Sequence, residues 1–338
     1  MRARFIGGIA LAALLAGCGP EKPAETPPAS PPTGGQPAAA APALTQADLD
    51  AVPKATKDYK IALIVKTKNN PFFIPMIHEF EETAKQLGAV PEVQAAAQES
   101  SYEQQVALVQ AEVGKGVQAI LITPADSKAL VPALKQAADK GVLIINLDNR
   151  LDPATVKSQG LKLGGYVGAD NEAGGKQAGA AMIEALPGGG DVAVIEGIRG
   201  VDNAEARKRG FESAVNSKLK VVDEQTGNWE TDAAYGKAQA ILAKHPTLAG
   251  IFCANDNMAL GAIKAVDEAG KKGKIKVVGY DNIPAAKELL QSGAMTATIE
   301  QHPDLMGKYG VRMAVGILDG KVTSGGEFLV PLETIKHK

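Results

Sequence analysis

The sequence predicts an α/β protein of two Rossmann-like lobes, each a parallel sheet with helices on both faces. Three observations predict it. From Tyr59 onward, short near-continuous runs of Val, Ile and Leu alternate with helical patterns, as expected of strands buried on both faces under crossover helices. The same plan starts again near Tyr166 with different residues. The chain's 338 residues also exceed the roughly 250 to 300 at which a single core stops growing.

Taken in order, Tyr59 to Val65 (YKIALIV) reads as the first strand, and Ile77, Phe80, Ala84 and Leu87 fall on one face of the helix that follows. Val90 to Ala95 is a weaker strand. The next helix, Tyr102 to Val113, carries Val106, Val109 and Val113 on one stripe and stops at Gly114. Ala119 to Thr123 is a buried strand closed by Pro124; Asp126-Ser127 cap a helix running to Lys140-Gly141, and Val142 to Leu147 is the next strand. The second half offers strands at Tyr166–Ala169, Asp191–Ile195, Val221–Gln225, Ile251–Ala254, Ile275–Gly279 and Ala297–Ile299. Between them lie helices at Asn171–Leu186, Asn203–Val215, Ala233–Ala243, Met258–Ala269 and Pro284–Leu290. A helix at Asp304–Leu318 and an extended tail end the chain.

The first residues stand outside this plan. Arg2 and Arg4 precede an apolar segment, Phe5 to Leu15, which is too short to span a bilayer. Leu15-Ala16-Gly17-Cys18 follows and resembles the lipobox of bacterial lipoproteins. That resemblance assigns residues 1–18 to a lipoprotein signal peptide with its lipobox and implies cleavage just before Cys18, which becomes the first residue and carries the lipid, so the folded part is expected to be exported. Residues 19–57, rich in Pro, Ala and Thr, read as a disordered tether. Cys253 is left without a disulfide partner and is expected to be a buried thiol.

Mixed charges summing to -2 give no nucleic-acid footprint. His78, His245, His302 and His337 are scattered without ligand spacing, so no metal site is expected. No cofactor is expected either. A dinucleotide-binding enzyme needs a G-x-G-x-x-G turn after its first strand; Lys66 to Phe73 holds none, and the expectation is that the protein is not an enzyme.

In parallel sheets the loops after each strand gather at one edge, where open α/β folds bind ligands. Those loops supply Asn70, Phe72 and Phe73; Asp148 and Asn149; Arg207; Asn228 and Trp229; Asn255 and Asp256; Tyr280, Asp281 and Asn282; Glu300 and Gln301. Carboxylates, amides and a guanidinium can each grip adjacent hydroxyls, while rings cover the C–H faces of a sugar or polyol. Single members also fit plainer roles: Phe72 and Phe73 a hydrophobic staple, Asn255 or Asp256 a helix cap, Trp229 a cover for the core.

The motifs KTKNNPFF, ITPADSKAL, NLDN, DNEAGG, NAEARKRGF, ANDNMALGA, VVGYDNIP and ATIEQHPDLMG, in this order, resemble those of the ribose-type, cluster B periplasmic sugar-binding proteins of ABC importers. The resemblance implies a type I two-lobe fold with a three-segment hinge. One lobe would hold 58–169 plus 302–330, the other 170–301 plus 331–338. It implies ligand contacts at Asn70, Phe72, Phe73, Asp148, Asn149, Arg207, Trp229, Asn255, Asp281 and Gln301. Two positions depart from the ribose pattern: Asn149 stands where that pattern has arginine, and Trp229 where it has phenylalanine. The implied activity is capture of a monosaccharide or sugar alcohol, a ribose-like pentose first, by a monomer at the periplasm or outer cell surface that delivers it to a permease. Asp281→Ala or Arg207→Ala is expected to abolish binding with thermal unfolding nearly unchanged. A receptor presenting its closed form to a chemotaxis or quorum-signalling sensor is the alternative. A lac-type repressor would carry a DNA-binding helix-turn-helix in place of the leader.

Overall fold

The computed structural model describes residues 43–337. The leader, Cys18 and the tether as far as residue 42 lie outside them. The first half of the described chain contains α1 (Gln46–Asp50), β1 (Lys60–Val65), α2 (Phe73–Gln86), β2 (Val90–Ala95), α3 (Tyr102–Gly114), β3 (Ala119–Ile122), α4 (Val131–Asp139), β4 (Leu143–Leu147), α5 (Pro153–Gln159) and β5 (Gly165–Gly168). The second half continues with α6 (Asn171–Ala185), β6 (Asp191–Glu196), α7 (Asp202–Val215), β7 (Lys220–Thr226), α8 (Thr231–Lys244) and β8 (Gly250–Cys253). Then follow α9 (Asp256–Glu268), β9 (Lys276–Val278), α10 (Pro284–Gln291), β10 (Ala297–Glu300), α11 (Pro303–Leu318), β11 (Gly326–Leu329) and β12 (Glu333–Lys336).

These strands form two six-stranded sheets, ordered β11-β5-β4-β3-β1-β2 and β12-β10-β9-β8-β6-β7. Central strands such as β1, β3 and β8 are buried along nearly their whole length, which is why their sequences run apolar without alternation. The edge strand β2 is half-buried and carries Pro91, a residue that edges tolerate. The second sheet is not wholly parallel: β12 pairs antiparallel with β10, Ala297 facing Lys336. The chain passes between sheets after β5, between β10 and α11, and between β11 and β12. Among the described residues no helix is long and apolar enough to cross a membrane.

Other local features differ from the sequence reading, among them α5, which no expected element covers. Helix α4 begins at Val131 because the Asp126 carboxylate first accepts the amides of Lys128 and Ala129, closing a turn. Disorder as far as residue 57 does not hold either. Thr45 and Asp48 close a reciprocal capping box on α1, Leu49 is fully buried, and Asp50 lies 3.6 Å from Lys308 on α11. The Leu44 amide donates to the Glu327 carbonyl on β11 at 2.7 Å. Leu44, Leu49 and Val52 are the large apolar residues in this stretch, and both Leu49 and Val52 are buried in the core.

Helices α6 and α7 cross very closely. A Cβ at Gly175 would lie 2.1 Å from the Arg207 carbonyl, and one at Gly210 the same distance from the Glu172 carbonyl. Only glycine permits that approach, and it fixes the height at which α7 presents its side chains.

Candidate ligand-binding site

A small cavity lies between the carboxyl ends of the two sheets, lined by Lys66, Asn70, Phe72, Phe73, Glu99, Asp148, Asn203, Arg207, Trp229, Asn255, Asp281 and Gln301.

The turn from β1 into α2 builds one wall. Asn70 Oδ1 accepts the Phe72 amide at 3.0 Å and so shapes the turn, while its Nδ2 donates to Glu99 at 2.7 Å. Phe72 and Phe73 meet edge to face, with centroids 5.1 Å apart, and both are buried. Asp148 follows β4 in a left-handed conformation, φ 58°. Its amide donates to the Val167 carbonyl and its carbonyl accepts the Tyr166 hydroxyl. Such backbone costs about 1–3 kcal/mol and persists where its surroundings over-determine it; here it aims a carboxylate whose Oδ2 lies 3.7 Å from Lys66 Nζ.

The second sheet supplies the opposite wall. Asn203 and Arg207, four residues apart on α7, share one face. Arg207 Nε donates to Asn171 and Nη1 to the Ala254 carbonyl, both at 2.8 Å. The guanidinium lies 3.8 Å from the Tyr280 ring centroid and 3.7 Å from Asp281. Trp229 adopts φ 69° in the loop after β7, packed so tightly on Gly197 that a Cβ there would lie 2.1 Å from the indole. Asn255 caps α9 by accepting the Met258 amide at 2.9 Å and also lines the cavity, combining both roles open to it. Asp281 accepts from Gln301 Nε2 at 2.6 Å.

Burial pushes the Glu99 carboxyl above its ordinary range, with Lys66 and Asn70 opposing the rise. It raises Asp281 well above its own, against the pull of Arg207. Four buried lining atoms have no hydrogen-bond partner within the protein: Asp148 Oδ1, Asn203 Oδ1, Trp229 Nε1 and Gln301 Oε1. Unpaired groups of this kind each cost about 1–3 kcal/mol when desolvated, so the cavity is prepared for a partner with several donors and at least one acceptor.

Nine of the ten sequence-predicted residues line this cavity; Asn149 does not. Its Nδ2 donates to the Pro124 carbonyl and to Ser127, and its Oδ1 accepts the Asn203 amide. Both ends are thus taken by protein groups, and the side chain points beneath the loop. Asp256, also on the loop list, is a buried structural carboxylate that accepts from Thr298 and from the Ile283 amide. Cys253 is fully buried, and burial pushes its thiol up. Lys66, Glu99 and Asn203 were missed. The available signal was a charged residue directly after an apolar strand for Lys66, and the i−4 position to Arg207 for Asn203; Glu99 sits in a polar loop with none.

The sequence profile of the periplasmic binding protein domain matches residues 61–322. The chain is 38% identical over 266 residues to a D-ribose/D-allose-binding protein of Pseudomonas aeruginosa, covering 78% of this chain and 83% of that protein. It is 36% identical over 257 residues to the D-allose-binding periplasmic protein of Escherichia coli, covering 75% and 83%. An ABC transporter periplasmic solute binding protein from Actinobacillus succinogenes, solved with bound D-allose, superposes with a TM-score of 0.78 at 41% identity over 82% of this chain and 98% of that one. With its two helix-flanked, mostly parallel sheets and a cavity between them, this chain belongs to the periplasmic binding protein domain family.

Proposed function

We propose that the protein captures one neutral monosaccharide, an aldose of the ribose or allose kind, in the closed cleft and delivers it to an ABC permease. The observation that carries this reading is the cavity lining: aromatic rings together with four unpartnered buried polar atoms. A sugar ring offers apolar C–H faces to the rings and hydroxyls to the polar atoms. Lys66 lies beside Asp148 and Arg207 beside Asp281, and burial pushes the third lining carboxyl, Glu99, toward its neutral form, so the lining offers no unopposed cation to an anionic ligand. The names and bound ligand of the relatives, D-ribose and D-allose, support the same class.

Capture involves no bond making. The two lobes close about the three crossing segments, desolvate the ligand and strengthen each hydrogen bond. A sugar lacking one hydroxyl would be rejected by roughly 10⁴ or more, because a buried polar atom would stay unpaired. The protein acts as a monomer, exported and held to a membrane through a lipid on Cys18 and the tether. The ligand assignment is tested by a thermal-shift screen of the mature domain against aldoses, ketoses and polyols with amino acids and nucleosides as controls; aldoses are expected to raise the melting temperature, and a rise with amino acids alone would overturn it. Labelling with a radioactive fatty acid tests the anchor: label on the wild type but not on Cys18→Ser is expected.

A further inference from the structure

Helix α7 carries Asn203 and Arg207 into the cavity, yet its own N-terminus lacks a cap from its own segment: Val201 stands at the N-cap position with no capping side chain. The first two helical amides find acceptors on the other lobe. The Asp202 amide donates to Ser127 Oγ at 3.1 Å, and the Asn203 amide to Asn149 Oδ1 at 3.2 Å. These acceptors are held in place. Asn149 Nδ2 is tied to the Pro124 carbonyl at 3.0 Å, and the Asn149 carbonyl accepts from Asn146 at 2.8 Å. Ser127, Asn149 and Asn203 are 3%, 0% and 3% exposed, so the contact is dry. Asn203 also carries one of the unpartnered oxygens in the cavity. Burial raises the Asp202 carboxyl above its ordinary range, and Arg150, from the loop after β4, opposes that rise by attraction across the same seam.

We propose that Ser127 and Asn149 are positioning residues for ligand capture: they cap α7 across the cleft, and this contact, made only when the lobes meet, holds Asn203 and Arg207 on the ligand and slows reopening. The proposal rests on the sugar-capture reading for its ligand but not for its geometry. A helix cap lost to alanine costs a factor of about five, and two lost caps a factor of about thirty.

The test compares wild type, Asn149→Ala and Ser127→Ala/Asn149→Ala. Titration with D-ribose and D-allose is expected to show Kd raised about fivefold in Asn149→Ala and about thirtyfold in the double variant. The increase lies in the dissociation rate, and the ratio between the two sugars is unchanged. Energy transfer between dyes at Lys140→Cys and Lys218→Cys, exposed sites on opposite lobes, reads closing with no sugar present. The closed dwell is expected to shorten about fivefold in Asn149→Ala. Shortened dwells in a protein that answers to neither sugar would leave the latch standing and remove the sugar assignment. Unchanged dwells and unchanged Kd would overturn the latch alone.

Discussion

Arg207 Nη1 and Asp281 Oδ1 face each other across 3.7 Å of cavity wall with side chains 2% and 4% exposed, close enough to neutralise one another and too far apart to hydrogen bond. Each is instead held by neutral groups: Arg207 by Asn171 and the Ala254 carbonyl, Asp281 by Gln301. This changes the expectation for alanine variants. Arg207→Ala strands a buried carboxylate, which costs about 3–5 kcal/mol, so it is expected to lower stability in urea as well as to abolish binding. Asp281→Asn keeps the shape and is expected to fold, losing about ten- to 150-fold in ligand affinity by calorimetry, the worth of a hydrogen bond to a charged group.

Trp229 is the chain's one tryptophan and lines the cavity. Its fluorescence is therefore expected to report ligand binding with no background from elsewhere. Gly197→Ala drives a methyl into the indole, an overpacking worth about 1–3 kcal/mol. The variant is expected to weaken binding and shift the emission of the unliganded protein; unchanged emission would show that the ring is not wedged there.

The buried Asp256 carboxyl is raised by burial to about 7, against hydrogen bonds from Thr298 and the backbone. Between the ordinary aspartate value of about 3.9 and about 7 the folded state holds a proton that the unfolded state has lost, so stability falls as pH rises through that window. The slope approaches about 1.4 kcal/mol per pH unit. Asp256→Asn is expected to remove this group's share, becoming more stable relative to wild type between pH 4 and about 7 in urea titrations. A constant difference across that window would sink the assignment.

Leu49 is fully buried although it belongs to a short helix ahead of the first strand. Leu49→Ala is expected to cost about 2–5 kcal/mol in denaturant unfolding, whereas a change on a disordered tether would cost nothing measurable.

The strands of both lobes were legible because parallel sheets covered on both faces demand unbroken apolar runs, as in Ala119–Ile122 and Gly250–Cys253. The docked segment around Leu49 was not legible, since three spaced apolar residues in a Pro/Ala-rich stretch carry no periodicity. In the site, residues directly after strands were readable, because topology alone puts Asn70, Asp148 and Asp281 at one edge. Asn149 was chosen for the same reason, yet it does not line the cavity. Position after a strand places a residue at the cleft but leaves its rotamer undetermined, and here the left-handed turn at Asp148 turns its neighbour toward the other lobe. Glu99 escaped because its loop follows an edge strand with weak patterning.

The most direct test of sugar capture is isothermal titration of the mature domain with D-ribose and D-allose, with amino acids as controls. Saturable one-to-one binding of at least one of these sugars at micromolar Kd or tighter is expected, requiring only about 8 kcal/mol net. Heat with an amino acid and none with any monosaccharide would contradict it.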